Sequence, residues 1–277
     1  MQNKGIYSLI IIWIIIAATV LVNFSHHKWQ NEDVIEFDVK AYYSYLPAIF
    51  IYNDITLEFL DNNSRIYNEM WPVKIPNGNH LIVTSYGMSV LYSPFFFMAH
   101  GYTLLDDNFE SDGYSMPYRF AINFSSVFYL LLGLLFLRKV LQRYFREWII
   151  ALVLLTIAVG TNLAYFTTYA AAMPHSYNFA MLTLFLWAVI KWYDSPTRLK
   201  AIGVGALFGL IALIRPTNIL VFFILLLWGV SSWKDFRDRI LFYLKRFDYV
   251  LIMLFFFLAV WMPQFLYWKT ITGEWIF

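Results

Sequence analysis

Long apolar runs alternate with short polar segments along the whole chain. A helix needs about 20 apolar residues to cross a membrane, and fewer where its flanking residues reach the interface. Eight runs approach this length: residues 6–23, 86–105, 117–137, 148–166, 175–192, 199–214, 217–228 and 249–268. The pattern predicts an all-α polytopic membrane protein. The first run is longer than the apolar core of a typical signal peptide and no A-x-A-like site follows it, which favours a retained helix.

Basic residues indicate how these runs are oriented in the membrane. Lys and Arg are enriched in the cytoplasmic loops of membrane proteins. They cluster here after residue 137, around residue 195 and before residue 249: Arg138, Lys139, Arg143, Arg146, Lys191, Arg198, Lys200, Lys234, Arg237, Arg239, Lys245 and Arg246. Residues 199–228 then lie between two cytoplasmic loops, so they must form a hairpin of two short helices that turns at Arg215-Pro216-Thr217-Asn218.

The run 86–105 does not fit this scheme as a further crossing. Only one crossing besides that of residues 117–137 is possible between Lys4 and Arg138, and polar and helix-breaking residues interrupt the run. It is therefore predicted to lie in the outer leaflet or to dip into it. The result is about seven transmembrane helices and a large first extracytoplasmic loop over residues 24–116.

The extracytoplasmic loop contains two local signals. Residues 42–52 have the pattern of an amphipathic juxtamembrane helix. Residues 73–83 alternate in polarity around Asn77-Gly78, a pair that suits a type I′ turn, so a small β-hairpin is predicted there. No internal repeat is visible in the sequence, which counts against an inverted-repeat transporter.

Composition narrows the classes of function. The chain is 60% hydrophobic and 14% charged, whereas a soluble domain is about half apolar and about a quarter charged. The net charge of +2 and the absence of a basic stripe give no reason to expect a nucleic-acid partner. The sequence has no cysteine, so disulfides, thiolate catalysis and Cys-ligated metals are excluded.

The residues that could carry chemistry gather on the predicted outer side. They are Glu36, Asp38, Lys40, Tyr42, Tyr43, His175, Arg215 and Asn218. A carboxylate such as Asp38 can take the proton from an acceptor hydroxyl. A guanidinium such as Arg215 can hold a leaving phosphate through two hydrogen bonds without losing its charge. This combination predicts group transfer from a phosphate-linked donor.

Four features in order along the chain resemble the GT-C superfamily of membrane glycosyltransferases. They are Asp38 soon after the first helix, YGMSVLYSPFFFMAH from Tyr86, GTNLAYFTTYAAAMPHSYNF from Gly160 and GLIALIRPTNIL from Gly209. More narrowly, the chain is similar to the bacterial dolichyl-phosphate-mannose–protein mannosyltransferase-like and aminoarabinose-transferase-like enzymes. The resemblance covers residues 1–277 as a single module and ends where the variable C-terminal part of the family would begin, so that part is expected to be absent.

The resemblance implies an inverting enzyme of the bacterial plasma membrane that uses a polyprenyl-phosphate sugar on the extracytoplasmic side. Its acceptor would be a protein, a glycan or a lipid. The family's catalytic aspartate corresponds to Asp38, the general base, and Arg215 would bind the lipid phosphate. Many relatives carry an Asp-Glu pair, whereas Val39 follows Asp38 here, so Glu36 is the alternative catalytic acid. Substrate binding is further expected of Lys40, Tyr42, Tyr43, His175 and Asn218.

Other interpretations stay open on the sequence alone. Asp38 can be a solvated acid that caps a helix beginning near Ala41, and Arg215 can be an interfacial arginine at a helix end. No cofactor is required, but Glu36 and Asp38 could hold a divalent metal. For the whole chain the alternatives are a transporter or flippase of a lipid-linked substrate, and a non-catalytic membrane scaffold. A transporter would need charged groups at mid-membrane, and the apolar runs nearly lack them.

Overall fold

The computed structural model describes residues 5–31 and 34–277, and α-helices dominate this part of the chain. The described residues form twelve α-helices, three 3-10 helices and two short strands. The α-helices are α1 (Tyr7–His26), α2 (Asp38–Phe50), α3 (Ser64–Met70), α4 (Gly87–Thr103), α5 (Met116–Leu141), α6 (Glu147–Val159), α7 (Leu163–Thr168), α8 (Pro174–Asp194), α9 (Arg198–Ile214), α10 (Phe222–Leu227), α11 (Trp233–Lys245) and α12 (Phe247–Thr272). The 3-10 helices are Lys28–Gln30, Glu58–Asn62 and Pro216–Val221.

Several helices are long and apolar. Within the described residues, three segments have the length and hydropathy to cross a membrane: Tyr7–Gln30, Met116–Leu141 and Phe247–Thr272. The apolar segments Glu147–Val159 and Pro216–Leu227 are shorter. The all-α prediction is confirmed, and the long apolar helices indicate a membrane protein.

Polar contacts join helix ends at one end of the bundle, where the Lys and Arg clusters lie. The Ser8 hydroxyl of α1 donates to the Glu147 carboxylate of α6 at 2.6 Å, and Arg138 of α5 donates to the same carboxylate at 3.1 Å. Arg143 donates to both carboxylate oxygens of Asp194, at 2.7 and 2.9 Å. We call this the basic end; α1 and α6 begin there, and α5 and α8 end there.

The opposite end of the bundle lies against residues 24–116, and we call it the loop end. The Asn23 amide of α1 donates to the Thr167 carbonyl at 2.8 Å, and the Asn123 amide of α5 donates to the Asn23 side-chain oxygen at 2.9 Å. The Asn77 amide donates to the Ile271 carbonyl near the end of α12 at 2.8 Å. Helices α1 and α12 therefore end where α5 begins.

Helix α4 contacts the loop of residues 24–116 near its start and again beyond its end. Near its start, the Ser89 hydroxyl donates to the Tyr42 carbonyl of α2. Beyond its end, the Tyr43 hydroxyl donates to the Gly113 carbonyl at 2.6 Å, and Arg65 donates to Glu110 at 2.7 Å. Its start also meets the middle of two long helices, since the Tyr86 hydroxyl donates to the Val260 carbonyl of α12 and the Tyr129 hydroxyl of α5 donates to the Leu91 carbonyl at 2.8 Å.

Close backbone packing sets the position of α9. A β-carbon added to Gly205 would lie 2.6 Å from the Met253 α-carbon of α12, and one added to Gly209 would lie 3.0 Å from the Phe257 carbonyl oxygen. Two glycines four residues apart on one face of a helix allow this approach. The contact fixes the end of α9, where Arg215 follows.

Two predicted helices are interrupted. The run 148–166 is not one helix, because α6 ends at Gly160 and α7 starts separately, with the Leu163 amide donating to the Thr161 hydroxyl at 3.1 Å. The run 217–228 begins as the 3-10 helix Pro216–Val221, whose first turn is closed by the Asn218 amide donating to the Arg215 carbonyl at 2.9 Å. This tight i→i+3 bond replaces the first turn of an α-helix.

The loop differs in detail from its prediction. Strand β1 (Val73–Lys74) pairs antiparallel with β2 (His80–Leu81), but the predicted type I′ turn is wrong. The Gly78 amide donates to the Ile75 carbonyl at 2.9 Å, which places Pro76 and Asn77 at the centre of the turn. Pro76 suits the second position of a type I turn, and of these turn residues only Gly78 has a positive φ, 91°.

The juxtamembrane helix also begins earlier than predicted. Residues 42–52 were expected to form it, with a start near Ala41 in the capping interpretation of Asp38. Helix α2 instead begins at Asp38, which lies in its first turn. Most side chains of α2 are buried rather than amphipathically exposed, because α3, α4 and the chain before α5 cover it. Asp38 is therefore part of the helix and not a residue of the preceding loop.

Candidate active site

A strained turn presents Asp38 at the start of α2. The Val39 amide donates to the Glu36 carbonyl at 2.9 Å and closes a four-residue turn. Phe37, the second residue of this turn, has φ 47° and ψ −133°, a conformation that usually requires glycine. A residue other than glycine in such a backbone conformation lowers the stability of the fold by roughly 1–3 kcal/mol. The turn places the exposed Asp38 carboxylate beside the positive end of the α2 dipole.

The Tyr42 hydroxyl connects Asp38 to Arg215. Tyr42 follows Asp38 by four residues, so both lie on one face of α2. The Arg215 guanidinium makes a polar contact with this hydroxyl, and the charges of Arg215 and Asp38 both act on it. Burial raises the pKa of Tyr42 above its ordinary value, and the Arg215 charge offsets part of this effect. A neutral phenol is therefore close enough to a carboxylate and a guanidinium for both charges to act on it.

Arg215 lies between α9 and the 3-10 helix Pro216–Val221. Its side chain is partly buried, and it forms no ion pair with a carboxylate in the part of the chain that the structure describes. Its charge also acts on His175 at the start of α8, whose ring stacks on Phe166 with centroids 3.5 Å apart. A guanidinium in this situation is well suited to bind a phosphate.

The start of α4 holds the two halves of the site together. The Ser85 hydroxyl donates to the Leu213 carbonyl of α9, and the Ser89 hydroxyl donates to the Tyr42 carbonyl of α2. Between them, a β-carbon added to Gly87 would lie 2.5 Å from the Ile214 nitrogen. Sequence reasoning missed this role, although small residues at every second position from Ser85 to Ser89 are a visible signal of close packing.

The remaining candidate residues have structural partners. The Lys40 ammonium donates to the Asn68 carbonyl at 2.8 Å. Tyr43 is fully buried, with its hydroxyl bonded to Gly113. The Asn218 amide donates to the Asn178 side-chain oxygen at 2.9 Å and to the Ile211 carbonyl at 3.0 Å, which fixes the turn that carries Arg215. The structure thus groups Asp38, Tyr42, His175 and Arg215, and it places Lys40 and Tyr43 in supporting contacts.

Glu36, the alternative catalytic acid, lies in the turn that precedes α2. Glu36 is partly buried two residues before Asp38, and its peptide carbonyl closes the turn described above. Among the residues that the structure describes, no group of three or more His, Cys, Asp or Glu side chains is placed to hold a metal ion.

Two apolar grooves flank α4. The first, of about 340 Å³, lies between α2, α4 and α12 and includes Ser89, Phe97 and Tyr267. The second, of about 770 Å³, lies between the end of α1, α4 and the start of α5 and includes Phe95. Phe96 between them is fully buried. The first groove adjoins the site directly, because Ser89 lines it and also bonds Tyr42.

Comparison with known proteins adds no family assignment. No protein-family model, no curated protein and no solved structure matches the chain. The function is therefore inferred from the site geometry together with the sequence pattern.

Proposed function

We propose that the chain is an integral membrane glycosyltransferase of GT-C type, which moves a sugar from a polyprenyl-phosphate donor to an acceptor hydroxyl on the extracytoplasmic side. The observation that carries this proposal is that Arg215 and Asp38 both act electrostatically on the Tyr42 hydroxyl. Asp38 and Tyr42 both lie on α2, whereas Arg215 follows α9 and is far from them in the sequence. Their proximity would bring a general base and a phosphate-binding guanidinium together in one site.

The proposed reaction is a single displacement with inversion at the anomeric carbon. The exposed Asp38 carboxylate accepts the proton of the acceptor hydroxyl while the acceptor oxygen bonds to the anomeric carbon. The bond from that carbon to the phosphate oxygen breaks, and its electron pair leaves with the polyprenyl phosphate. Arg215 binds the phosphate and compensates the negative charge that develops on it. Tyr42 donates a hydrogen bond in the same space and orients the phosphate.

We further propose seven membrane crossings: α1, α5, α6 with α7, α8, α9, the 3-10 helix with α10, and α12. Contacts at the two ends of the bundle support them, since Ser8 and Glu147 meet at the basic end, whereas Asn23 and Thr167 meet at the loop end. The basic end would face the cytoplasm by its Lys and Arg content. The site would then open to the periplasm or exterior of a bacterial plasma membrane.

The first groove is the proposed binding place of the polyprenyl chain. It is lined mainly by apolar side chains from α2, α4 and α12, and Ser89 joins it to Tyr42. A chain that enters it from the outer leaflet would bring its phosphate toward Arg215. The second groove lies on the opposite side of α4 and is not lined by Ser89. We propose that it binds the acceptor or membrane lipid.

Replacement of Asp38 tests the proposal. Purified full-length protein is supplied with polyprenyl-phosphate hexose or pentose, and release of polyprenyl phosphate is measured together with sugar transfer. Asp38→Asn should lower the rate by about 100-fold or more, the usual size of a general-base effect. Asp107→Asn, which changes an exposed acid elsewhere in the loop, is the matched control and should leave the rate unchanged.

The alternatives give different outcomes in the same assay. Undiminished transfer by Asp38→Asn would overturn the catalytic assignment, and loss of transfer in Glu36→Gln instead would move the base to Glu36. Passage of the donor across a vesicle membrane without release of polyprenyl phosphate would indicate a flippase. Neither passage nor release with any donor would favour the scaffold.

A further inference from the structure

A cavity at the basic end lies outside the proposed catalytic site. It has a volume of about 500 Å³ and lies between the end of α5 and the end of α8. Its polar lining includes Lys139, Gln142 and Arg143 from α5 and the following turn, and Lys191 and Asp194 from α8. Trp187 and neighbouring aliphatic side chains form its apolar part.

The cavity has more positive than negative charge. Arg143 and Asp194 neutralise one another through two hydrogen bonds at 2.7 and 2.9 Å. The ammonium of Lys139 lies 5.3 Å from the centre of the Trp187 ring. Neither Lys139 nor Lys191 forms an ion pair with a carboxylate in the described ranges 5–31 and 34–277. Two positive charges are therefore left for a ligand.

The carbonyl groups at the end of α8 do not compensate these charges. The Lys200 ammonium donates to the carbonyls of Lys191 and Ser195, each at 2.9 Å. The free carbonyls at a helix C-terminus carry partial negative charge, and Lys200 satisfies that of Lys191 and the carbonyl of the following Ser195. The cavity consequently favours an anion over a cation.

We propose that this cavity binds the phosphate headgroup of an anionic phospholipid. The cavity lies where the long apolar helix α5 ends, and its Trp187 and Lys139 are the residue types that anchor helices at a membrane interface. Basic cavities between transmembrane helices on the cytoplasmic side are suited to anionic headgroups. The apolar part of the cavity would contact the glycerol and upper acyl region, which a free phosphate lacks.

The test is a titration of short-chain phosphatidylglycerol into the detergent-purified protein, with bound lipid counted by native mass spectrometry. The Lys139→Ala/Lys191→Ala variant should bind roughly 30-fold more weakly, since each lysine near an anionic lipid contributes about 1 kcal/mol. The Lys139→Arg/Lys191→Arg variant should retain binding and reports on folding. Lys234→Ala/Lys245→Ala removes the same charge from exposed positions on α11 and should bind like the unmodified protein.

Three outcomes would overturn the proposal. Equal weakening in the cavity variant and the α11 variant would show that net charge alone attracts the lipid. Inorganic phosphate that displaces the lipid at similar concentrations would show that the cavity takes a soluble phosphate and not a headgroup. Binding of phosphatidylcholine as tightly as phosphatidylglycerol would remove the role of charge altogether.

Discussion

Tyr42 is the residue at which the two halves of the candidate site meet. Its hydroxyl can hydrogen-bond a phosphate held by Arg215, and a hydrogen bond to a charged group is worth about 1.5–3 kcal/mol. Because burial raises the pKa of Tyr42, the hydroxyl stays protonated through the neutral range. Tyr42 therefore does not change its protonation state near pH 7, and it causes no rise or fall in the pH–rate profile in that range.

Tyr42→Phe should therefore lower the transfer rate by roughly 10- to 150-fold, and this factor should stay the same from about pH 6 to pH 9. The measurement is the initial rate of polyprenyl-phosphate release across that range. Tyr52→Phe, which removes another outer-loop hydroxyl, is the matched control. A limb of the pH profile that disappears in Tyr42→Phe would contradict this role, since it would mean that Tyr42 itself titrates.

At the residue scale the sequence predicted the participants better than their roles. It placed Asp38 and Arg215 on the same side of the membrane. It could not choose between Tyr42 and Tyr43, although adjacent helical residues point about 100° apart and only one can share the face of Asp38. To choose Tyr42, one must know that α2 begins at Asp38. That start depends on the strained backbone of Phe37, and the sequence has no glycine at this position to indicate such a conformation.

Helix α4 aligns α2 with α9, and Gly87 makes this possible. A β-carbon at Gly87 would lie 2.6 Å from the Leu213 carbonyl oxygen, and this backbone cannot turn aside as a side chain could. Gly87→Ala should therefore push α4 away from the end of α9 and displace Arg215. We expect a clear fall in the thermal unfolding midpoint in detergent and a loss of transfer.

Gly101 provides a control within the same helix. No atom lies within 4 Å of a β-carbon at Gly101. Gly101→Ala should raise stability slightly, since alanine is favoured over glycine in a helix by roughly 0.5–1 kcal/mol. Equal effects of the two substitutions would mean that the loss of glycine, and not the contact with α9, is responsible.

At the element scale, the apolar runs predicted where helices occur and failed where local hydrogen bonds end them. The break between α6 and α7 depends on Gly160 and the Thr161 hydroxyl, which an average over an apolar window does not show. Helix α11 was missed because its loop is strongly charged, although its apolar residues recur with helical spacing. These residues are Trp233, Phe236, Ile240, Leu241 and Leu244.

For the whole molecule, the placement of α4 determines the number of crossings. Contacts near its start and beyond its end involve the loop of residues 24–116, and on this ground we propose that α4 does not cross the membrane. Contacts alone do not say which end faces the cytoplasm. That direction comes from the Lys and Arg content of the basic end, which is a property of the sequence.

Cysteine labelling tests both the number of crossings and their direction. The sequence has no cysteine, so each introduced thiol is the only one in the chain. Asn62→Cys in the loop, Leu105→Cys after α4 and Lys234→Cys in α11 all change exposed residues. A membrane-impermeant maleimide applied to intact spheroplasts should label Asn62→Cys and Leu105→Cys, and it should label Lys234→Cys only after permeabilisation.

Each site answers a different question. Leu105→Cys lies 43 residues beyond Asn62→Cys with α4 between them. If it were labelled only after permeabilisation, α4 would cross the membrane, and the seven-crossing arrangement would be wrong. If all three sites showed the reverse pattern, Asp38 and Arg215 would face the cytoplasm, and the donor would have to be reached from that leaflet. Labelling at Asn62 and Leu105 together, with protection at Lys234, leaves the outer leaflet as the side from which a lipid-linked donor enters.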